Sequence, residues 1–378
     1  MIRLTLIKQR YTPSGGAERF VERALQALQQ QQVALTLVTR HWQASDQFTL
    51  VRCNPFYLGR LWRDWSFARA ACHYIQNNEG GLVQSHERLA CCDIYRAGDG
   101  VHREWLTQKR RTAHWAVRLF DAANPYHRYV MRAEKQLFGS PRLKAIICNS
   151  AMVRQELHDH YGVDPQRCHV IYSGVDIEGY APATIAPYRQ AMRRQWQIND
   201  QERLFLFIGS GYARKGLDIA LRALAQLPTT AHLVVVGRDK QSARYQQLAE
   251  QLHIQQRVHF AGVQHDVKPY YAAADAFILP TLYDPFANVI LEAMAAGLPV
   301  ITSHKCGAVD LIESGSNGFI RDALDLAGIV ATMRSLLDPE VSQRIGRAAR
   351  TTVEPLATAA MTQRLVALYQ QLLTEERP

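Results

Sequence analysis

Short apolar runs alternate along the chain with longer stretches of helical spacing. The runs at 2–7, 33–39, 204–208 and 233–236 have the length and the continuous apolar character of buried strands. Between them lie amphipathic stretches such as 17–30, where apolar residues recur at helical intervals. Because alternating strands and helices assemble into parallel sheets covered on both faces, the pattern predicts two doubly wound α/β domains facing a cleft.

The clearest strand–turn–helix unit of the chain begins with the apolar run 276–279. Asp284 is predicted to be the N-cap of the following helix, with Pro285 at its first position and Gly297 just past its end. The run 299–301 predicts the next strand. A turn that carries a carboxylate at the carboxyl end of a buried strand is the place where open α/β sheets bind ligands.

Two acids lie on this unit, Asp284 at the helix start and Glu292 eight residues later. Eight helical residues rise about 12 Å, so both carboxylates can contact one elongated ligand. The backbone N–H groups of Phe286, Ala287 and Asn288, at the positive end of the helix dipole, suit a phosphate. A nucleotide-sugar fits this spacing, with hexose, diphosphate and ribose in that order. The alternative is that Asp284 only caps and Glu292 is a surface residue.

A second candidate follows the strand 204–208, where Arg214 and Lys215 open a helix. The segment lacks the ending of a Walker loop and the third glycine of a dinucleotide fingerprint. A planar guanidinium beside a movable ammonium is suited to a diphosphate. Solvent-exposed basic residues are the alternative.

The first half offers weaker candidates, each next to a predicted strand. Gly15 and Gly16 lie between a strand and a helix, where glycine lets backbone approach a ligand, although an ordinary turn has the same composition. His86 follows the run 82–85 and is an acceptor contact or a structural histidine. Asp99, between two glycines, is an acceptor contact or a turn residue.

The stretch 283–300 resembles the donor signature of family 4 retaining glycosyltransferases, which have the GT-B fold. Its acid, seven residues and Glu in the context Val-Ile-Leu-Glu-Ala-Met-Ala-Ala-Gly-Leu-Pro-Val carry the resemblance. The usual first acid is Glu, whereas this chain has Asp284, one methylene shorter. The resemblance places Arg214 and Lys215 at the pyrophosphate and Gly15 and Gly16 near the donor phosphates. Further donor contacts that it implies are Arg238, Val263, Gln264, Asp284, Phe286, Ala287, Asn288 and Glu292.

Within that family the chain is most similar to lipopolysaccharide-core glucosyltransferases. The resemblance implies retaining, metal-independent transfer of a hexose from UDP-glucose to an inner-core heptose, with the nucleotide-sugar as co-substrate and no other cofactor. The expected acceptor contacts are His86 and Asp99. The expected catalytic residues are Asp99, Arg214, Lys215 and Asp284. The alternatives are a family 4 transferase with another donor or acceptor, a GT-B nucleotide-sugar epimerase, and a non-catalytic nucleotide-binding protein at the membrane.

A length of 378 residues fits two domains of ordinary size. We expect an acceptor-binding domain at 1–180, a polar linker at 181–200 and a donor-binding domain at 201–355. The last segment, 356–378, is predicted to be a helix that returns towards the first domain, as the resemblance implies.

Charged residues are distributed unevenly along the chain, and this distribution bears on where in the cell the protein is expected. The chain carries a net charge of +10, and the segment 101–144 holds ten basic and three acidic residues, a net +7. Tryptophan and tyrosine lie among them, which favours an anionic membrane surface with a lipid-linked glycan acceptor, whereas a solvated basic face is the alternative. No nucleic-acid-binding motif is present, so we expect no nucleic-acid partner.

The seven cysteines show no Cys-x-x-Cys and no metal-ligand spacing. This pattern predicts a reducing compartment and no structural metal. The N-terminal residues predict a strand rather than a signal peptide. We therefore expect a cytoplasmic protein bound peripherally at the inner face of the cytoplasmic membrane.

Overall fold

The computed structural model describes residues 2–10, 33–42, 48–78 and 80–375, and the chain divides into two compact units. Unit 1 comprises Met1–Gly174 and Thr358–Pro378, and unit 2 comprises Val175–Ala357. Each unit contains one parallel β-sheet with helices.

Unit 1 contains a seven-stranded sheet. Its strands are β1 (Ile2–Ile7), β2 (Val33–Thr39), β3 (Thr49–Arg52), β4 (Leu82–Ser85), β5 (Ile94–Arg96), β6 (Ala145–Cys148) and β7 (Cys168–Val170). Its described helices are α1 (Gly59–Asn77), α2 (His102–Arg110), α3 (Trp115–Ala123), α4 (Pro125–Phe138), α5 (Ala151–Tyr161), the 3-10 turn Pro165–Arg167 and the C-terminal helix (Thr358–Glu375). All strands pair in parallel in the order β3-β2-β1-β4-β5-β6-β7. The chain therefore changes direction across the sheet between β1 and β4.

Both faces of this sheet are buried, which explains why its strands are apolar at consecutive positions. On one face, Leu4 and Leu6 of β1 pack in a cluster with Leu365 and Tyr369 of the C-terminal helix. On the other face, Phe67 of α1 belongs to a second cluster. The C-terminal helix thus supplies part of the unit 1 core, and it lies in unit 1 although it follows unit 2 in sequence.

Unit 2 contains a six-stranded sheet. Its strands are β8 (Arg203–Ile208), β9 (Ala231–Val236), β10 (Val258–Gly262), β11 (Ala276–Leu279), β12 (Val300–Ser303) and β13 (Phe319–Arg321). Its α-helices are α6 (Pro182–Ile185), α7 (Arg189–Gln195), α8 (Tyr212–Lys215), α9 (Leu217–Ala225), α10 (Ser242–Gln251), α11 (Lys268–Ala273), α12 (Asn288–Ala295), α13 (Leu326–Ser335) and α14 (Pro339–Val353). Short 3-10 helices occupy Ala186–Tyr188, Gln255–Arg257, Gly307–Leu311 and Glu354–Leu356.

The order of this sheet is β10-β9-β8-β11-β12-β13, again all parallel. The chain builds outwards from β8 in one direction and from β11 in the other. The loops that follow β8 and β11 therefore diverge at the switch point of the sheet, where open α/β sheets bind ligands.

The segment 181–200, expected to be a linker, is part of unit 2. Arg193 of α7 is only 2% exposed and donates to Asp275 at 3.1 Å. Arg189 donates to the same carboxylate at 2.6 Å. The polar composition misled the prediction because these arginines find an acid some eighty residues away. The boundaries of the two units also differ from the predicted ones. The first part of unit 1 ends at Gly174 rather than at 180, and unit 2 ends at Ala357 rather than at 355.

One disulfide, between Cys72 of α1 and Cys91 after β4, was not expected. Its partners are 19 residues apart in sequence, a spacing that matches no recognisable motif. Because two of the cysteines form a disulfide, the cysteine pattern no longer supports a reducing compartment. Within the described part of the chain, none of the helices has the length and apolar character needed to cross a membrane.

Candidate active site

The loop after β8 forms one short helical turn, α8, between two glycines. Gly211 and Gly216 both have left-handed backbone, with φ of 75° and 82°. A Cβ on Gly216 would collide with the carbonyl oxygen of Pro280, which follows β11. Glycine is therefore required for the close approach of α8 to the β11 loop.

Hydrogen bonds then join the two loops. The carbonyl oxygen of Arg214 accepts from the N–H of Leu282 at 2.8 Å and from the hydroxyl of Thr281 at 2.9 Å. In return, the Arg214 guanidinium donates to the carbonyl of Tyr283 at 2.9 Å. These bonds fix the end of α8 beside the residue that follows Tyr283, which is Asp284.

Asp284, Lys215 and Arg214 form a buried ion cluster. The Lys215 ammonium donates directly to Oδ2 of Asp284, and Nη1 of Arg214 lies 3.3 Å from the same oxygen. Asp284 is 6% exposed and Lys215 is 9% exposed. Burial alone would raise the pKa of the Asp284 carboxyl, but the two cations outweigh burial and hold that pKa below its ordinary value. The site thus keeps an ionised carboxylate against two positive charges.

Asp284 does not cap the following helix, and this corrects the prediction. Helix α12 begins at Asn288, three residues after the expected start at Pro285, and has no side-chain cap. The carboxylate instead meets the two cations, while its Oδ1 accepts from the N–H of Phe286 at 3.3 Å. That N–H is consequently not open to a ligand. The predicted helix end is confirmed, because Gly297 follows the last turn with φ of 72°.

Glu292 lies in the middle of α12 and is 2% exposed, so it is not a surface residue. Its Oε2 lies 3.1 Å from the hydroxyl of Tyr271, which shares its one proton between this carboxylate and the carbonyl oxygen of Val289 at 3.0 Å. Ala287 is buried and Asn288 is half-buried at the start of the helix. Tyr271, on α11, is a positioning residue that the sequence did not single out, although the adjacent tyrosines at 270 and 271 are a visible signal.

The neighbouring strand ends carry glycines at the same edge of the sheet. Gly209, Gly237 and Gly262 follow or end β8, β9 and β10. A Cβ on Gly237 would collide with the carbonyl oxygen of Gly209, and the N–H of Gly237 donates to Gly262 at 2.7 Å. Only Gly262 has open space at its Cβ position. Gly209 is covered by the Lys215 side chain and Gly237 by the Gly209 carbonyl, so glycine at these two positions serves close packing.

The predicted base-side residues lie beside these glycines. Arg238 follows β9 and is exposed, and Val263 follows β10 with 47% exposure. Gln264 is half-buried, and its amide donates to the carbonyl of Ala261 at 2.6 Å. The structure therefore brings these three residues to one edge of the sheet, next to the strand that leads to Arg214 and Lys215.

The two acceptor candidates lie at the carboxyl ends of β4 and β5 in unit 1. His86 is 6% exposed, and its Nε2 lies 3.2 Å from the Gln84 amide, which in turn accepts from the Tyr369 hydroxyl at 2.7 Å. Burial, followed by Arg96 and Lys8, holds the pKa of His86 well below its usual range. His86 is thus a neutral interior histidine, which favours its structural role.

Asp99 has a different environment. Its side chain is 60% exposed, and Oδ2 lies 3.7 Å from Nη1 of Arg88. Nε of Arg88 donates at 2.8 Å to Glu134, which is fully buried and also accepts from the Tyr161 hydroxyl at 2.7 Å. Arg88 therefore lies beside the exposed Asp99 while its own guanidinium is anchored to the buried Glu134. No local pattern pointed to Arg88 or Glu134, since their pairing spans 46 positions.

Gly15 and Gly16 lie outside the described residues. Across residues 2–10, 33–42, 48–78 and 80–375, no group of three or more His, Cys, Asp and Glu is placed to hold a metal ion. The ion cluster itself pairs one carboxylate with two cations, and this donor set suits an anion rather than a metal.

Two family models match the chain. Residues 188–352 match "Glycosyl transferases group 1", and residues 14–178 match "Glycosyltransferase Family 4". The first match contains the whole ion cluster and Glu292. This chain is a glycosyltransferase of the GT-B fold.

Relatives support this assignment. The glycosyltransferase is 25% identical over 317 residues to the lipopolysaccharide glucosyltransferase WaaG of Escherichia coli (strain K12), covering 82% of this chain and 83% of that protein. The crystal structure of WaaG superposes with a TM-score of 0.84 at 22% identity, covering 97% of this chain and 99% of WaaG. Anabaena HepE, solved with UDP-glucose, superposes with a TM-score of 0.74 at 19% identity, covering 98% and 100%.

The geometry of the glycosyltransferase defines what its site can do. Arg214 and Lys215 present two cations at the switch point of unit 2, and Asp284 balances one of the two charges. Lys215 is packed over Gly209, since a Cβ on that glycine would lie 3.2 Å from Cγ of Lys215. The ammonium is thus held in place by packing as well as by charge, which preorganises the site for an anion.

Proposed function

We propose that this glycosyltransferase moves glucose, with retention of configuration, from UDP-glucose to a heptose of a lipid-linked lipopolysaccharide inner core. The observation that carries the proposal is the buried cluster of Arg214, Lys215 and Asp284 at the switch point of unit 2. Similarity over most of the chain to a lipopolysaccharide glucosyltransferase supports the acceptor class. Similarity in fold to a protein solved with UDP-glucose supports the donor.

In this proposal, each part of the donor meets one group of residues. The diphosphate binds Arg214 and Lys215, and the hexose hydroxyls bind Asp284, which is already ionised. Glu292, held by Tyr271, accepts from the ribose hydroxyls, since a carboxylate is an acceptor for two such groups. The uracil binds beside Val263 and Gln264, next to the glycine ends of the strands.

Catalysis then needs no metal and no protein nucleophile. As the bond between the anomeric carbon and the phosphate oxygen breaks, negative charge grows on the diphosphate, where two preorganised cations stabilise it. The acceptor oxygen attacks the same face of the sugar and forms the new glycosidic bond. Its proton passes to the departing phosphate oxygen. Asp284 is unsuited to nucleophilic attack, because its carboxylate is bound to Lys215 and Arg214.

The acceptor side of the proposal uses Asp99 and the basic segment 101–144. Asp99 is exposed beside the anchored Arg88, so its carboxylate is accessible to an acceptor hydroxyl. Most cations of the segment are exposed, including Arg110 and Arg118, whereas Lys109 is paired with Asp121 at 2.8 Å. We therefore place the enzyme at the anionic inner face of the cytoplasmic membrane, where a lipid-linked acceptor would lie.

A transfer assay tests the reaction. The purified enzyme is incubated with UDP-glucose and a heptose-bearing inner-core acceptor, with and without EDTA, and the product linkage is determined by NMR. We expect an α-linked glucose on heptose, formed equally in EDTA, and loss of transfer in Asp284→Asn. An inverted linkage or dependence on a divalent metal would contradict the mechanism. Hydrolysis or epimerisation of the donor without acceptor would favour an epimerase.

Vesicle sedimentation tests the membrane part separately. Each Lys or Arg near an anionic surface contributes about 1 kcal/mol, so Arg110→Ala with Arg111→Ala is expected to weaken binding by roughly tenfold or more. The matched control is Arg344→Ala with Arg347→Ala, which removes two exposed arginines of α14 in unit 2 and leaves the basic segment intact. Equal binding of the wild type to neutral and anionic vesicles would contradict the peripheral location.

A further inference from the structure

Large apolar side chains are exposed in unit 1 at the beginning of α1. Five of them form what we call the aromatic patch, Phe56, Leu58, Leu61, Trp62 and Trp65. Their exposed fractions are 77%, 76%, 36%, 41% and 46% in that order. Phe56 and Trp62 contact each other edge to face, with ring centroids 5.6 Å apart. Clustered exposed side chains of this size mark an interaction site more often than chance exposure.

The core of unit 1 does not need this patch. Helix α1 buries Ser66, Phe67, Ala71 and Ile75 against the sheet. Leu61, Trp62, Trp65 and Arg69 lie on the opposite, solvent-facing side of the same helix, and Phe56 and Leu58 lie in the segment just before it. Packing in the core of unit 1 therefore accounts for the apolar residues on the buried face of α1. It does not account for the aromatic residues on the exposed face.

The charge around the patch indicates what it binds. The segment 52–69 contains four arginines, Arg52, Arg60, Arg63 and Arg69, and one acid, Asp64, for a net charge of +3. Arg69 lies over the Trp65 ring with its Cζ 5.8 Å from the centroid. Tryptophan beside arginine, with apolar neighbours, is typical of residues that lie at the boundary between lipid headgroups and acyl chains.

The patch is also continuous with the basic segment 101–144, whose net charge is +7. Cζ of Arg60 lies 4.6 Å from the ring centroid of Tyr126 in α4, and the Tyr126 hydroxyl donates to Asp64 at 3.0 Å. These contacts fix the start of α1 against α4. The adjoining helix α3 exposes two further aromatic side chains, Trp115 at 66% and Phe120 at 78%. One helical layer of unit 1 therefore combines exposed aromatic rings with a large excess of positive charge.

We propose that the aromatic patch inserts into the headgroup region of an anionic bilayer. The basic segment supplies attraction to the charged surface, and the patch supplies apolar insertion, so unit 1 is held by two kinds of interaction. A protein partner would have to match this strongly basic surface as well as the patch, whereas an anionic bilayer matches both at once. The inference rests on the proposed function only for the membrane location. It can be tested without donor or acceptor.

The test uses the full-length protein and mixed vesicles of phosphatidylethanolamine and phosphatidylglycerol. We expect the double variant Trp62→Ser with Trp65→Ser to lower the vesicle partition coefficient by about tenfold, which corresponds to about 1.4 kcal/mol. The matched control is Tyr188→Ser in unit 2, since Tyr188 is also an exposed aromatic residue at 44%. Its partition coefficient is expected to stay at the wild-type value.

A second readout reports insertion itself. Lipids brominated near the headgroup are expected to quench the tryptophan fluorescence of the wild type. The quenched fraction is expected to fall in the double variant, whose remaining tryptophans include the exposed Trp115. Unchanged partitioning of the double variant, or wild-type fluorescence untouched by brominated lipid, would overturn the inference. So would self-association of the wild type that the double variant loses, because the patch would then be an interface between two copies of the chain.

The inference and the proposed function fail in different ways. Loss of insertion with intact transfer to a water-soluble heptose acceptor would refute the patch alone. Insertion without any transfer from UDP-glucose would refute the proposed reaction and leave the patch standing.

Discussion

Replacing Lys215 with methionine tests the ion cluster most sharply. Methionine keeps the length and the apolar stem that packs over Gly209 but removes the ammonium that meets Asp284. Leaving one charge of a buried pair without its partner costs about 3–5 kcal/mol. Asp284 retains Arg214 at 3.3 Å and the Phe286 N–H at 3.3 Å, so we expect a smaller loss in the free energy of unfolding, about 2 kcal/mol.

The same variant changes ligand binding in a selective way. A hydrogen bond from a charged donor to phosphate contributes about 1.5–3 kcal/mol, or roughly 10- to 150-fold in Kd. Lys215→Met is therefore expected to weaken UDP binding by that factor. Uridine lacks the diphosphate, so its affinity is expected to remain unchanged.

Isothermal titration with UDP and uridine measures binding, and urea unfolding of the ligand-free protein measures stability. Adding Asp284→Asn to Lys215→Met is expected to restore most of the lost stability, because no uncompensated buried charge remains. UDP affinity is expected to stay low in this double variant. Equal UDP affinity of the wild type and Lys215→Met, or an equal loss for uridine, would refute the assignment of Lys215 to the diphosphate.

The remaining predictions concern the ribose contact, the acceptor contact and a buried histidine. Glu292→Gln is expected to weaken UDP and uridine alike, by roughly tenfold in calorimetry, and Tyr271→Phe by a smaller factor, since Tyr271 only positions Glu292. Asp99→Asn is expected to lower kcat for transfer at least about tenfold with an unchanged Kd for UDP, and a changed Kd would contradict an acceptor role. Burial and then His232 lower the pKa of His259 to about 4, against about 6.5 when unfolded, so the unfolded chain takes up the proton first as the pH falls. His259 is expected to contribute about 1 kcal/mol to the stability lost between about pH 7 and about pH 5, after allowance for partial exposure. This contribution is the difference between urea titrations of the wild type and of His259→Phe, and an equal pH dependence of the two proteins would contradict this cause.

Local pattern was enough to predict much of unit 2. Apolar strand runs, glycines and charged pairs are signals that can be read from neighbouring residues. They predicted that Arg214 and Lys215 follow β8 and that Gly297 follows α12. The parallel order then brought Asp284 next to both cations, because β8 and β11 are neighbours in the sheet. Chain connectivity through a regular sheet converts such local signals into a site.

Long-range partners explain what the sequence did not reveal. Asp284 resembles an N-cap locally, but two cations 69 and 70 positions away compete for its carboxylate and the helix starts later. Arg193 lies in a polar stretch that resembles a linker, yet its side chain is buried in an ion pair with Asp275. Arg88 with Glu134, and Tyr271 with Glu292, are likewise pairs that only the fold brings together. A hydrophobic pattern carries no information about which polar side chains meet.

A thermal-shift panel tests most directly whether unit 2 contains a UDP-sugar donor site. The purified protein is heated with UDP, GDP, ADP and their glucose or mannose derivatives. A ligand that binds the folded state alone adds about 2.7 kcal/mol of apparent stability at about a hundred times its Kd. We expect stabilisation by UDP and UDP-glucose, and little response to ADP or GDP. A preference for ADP or GDP, or no response to any nucleotide, would contradict this expectation.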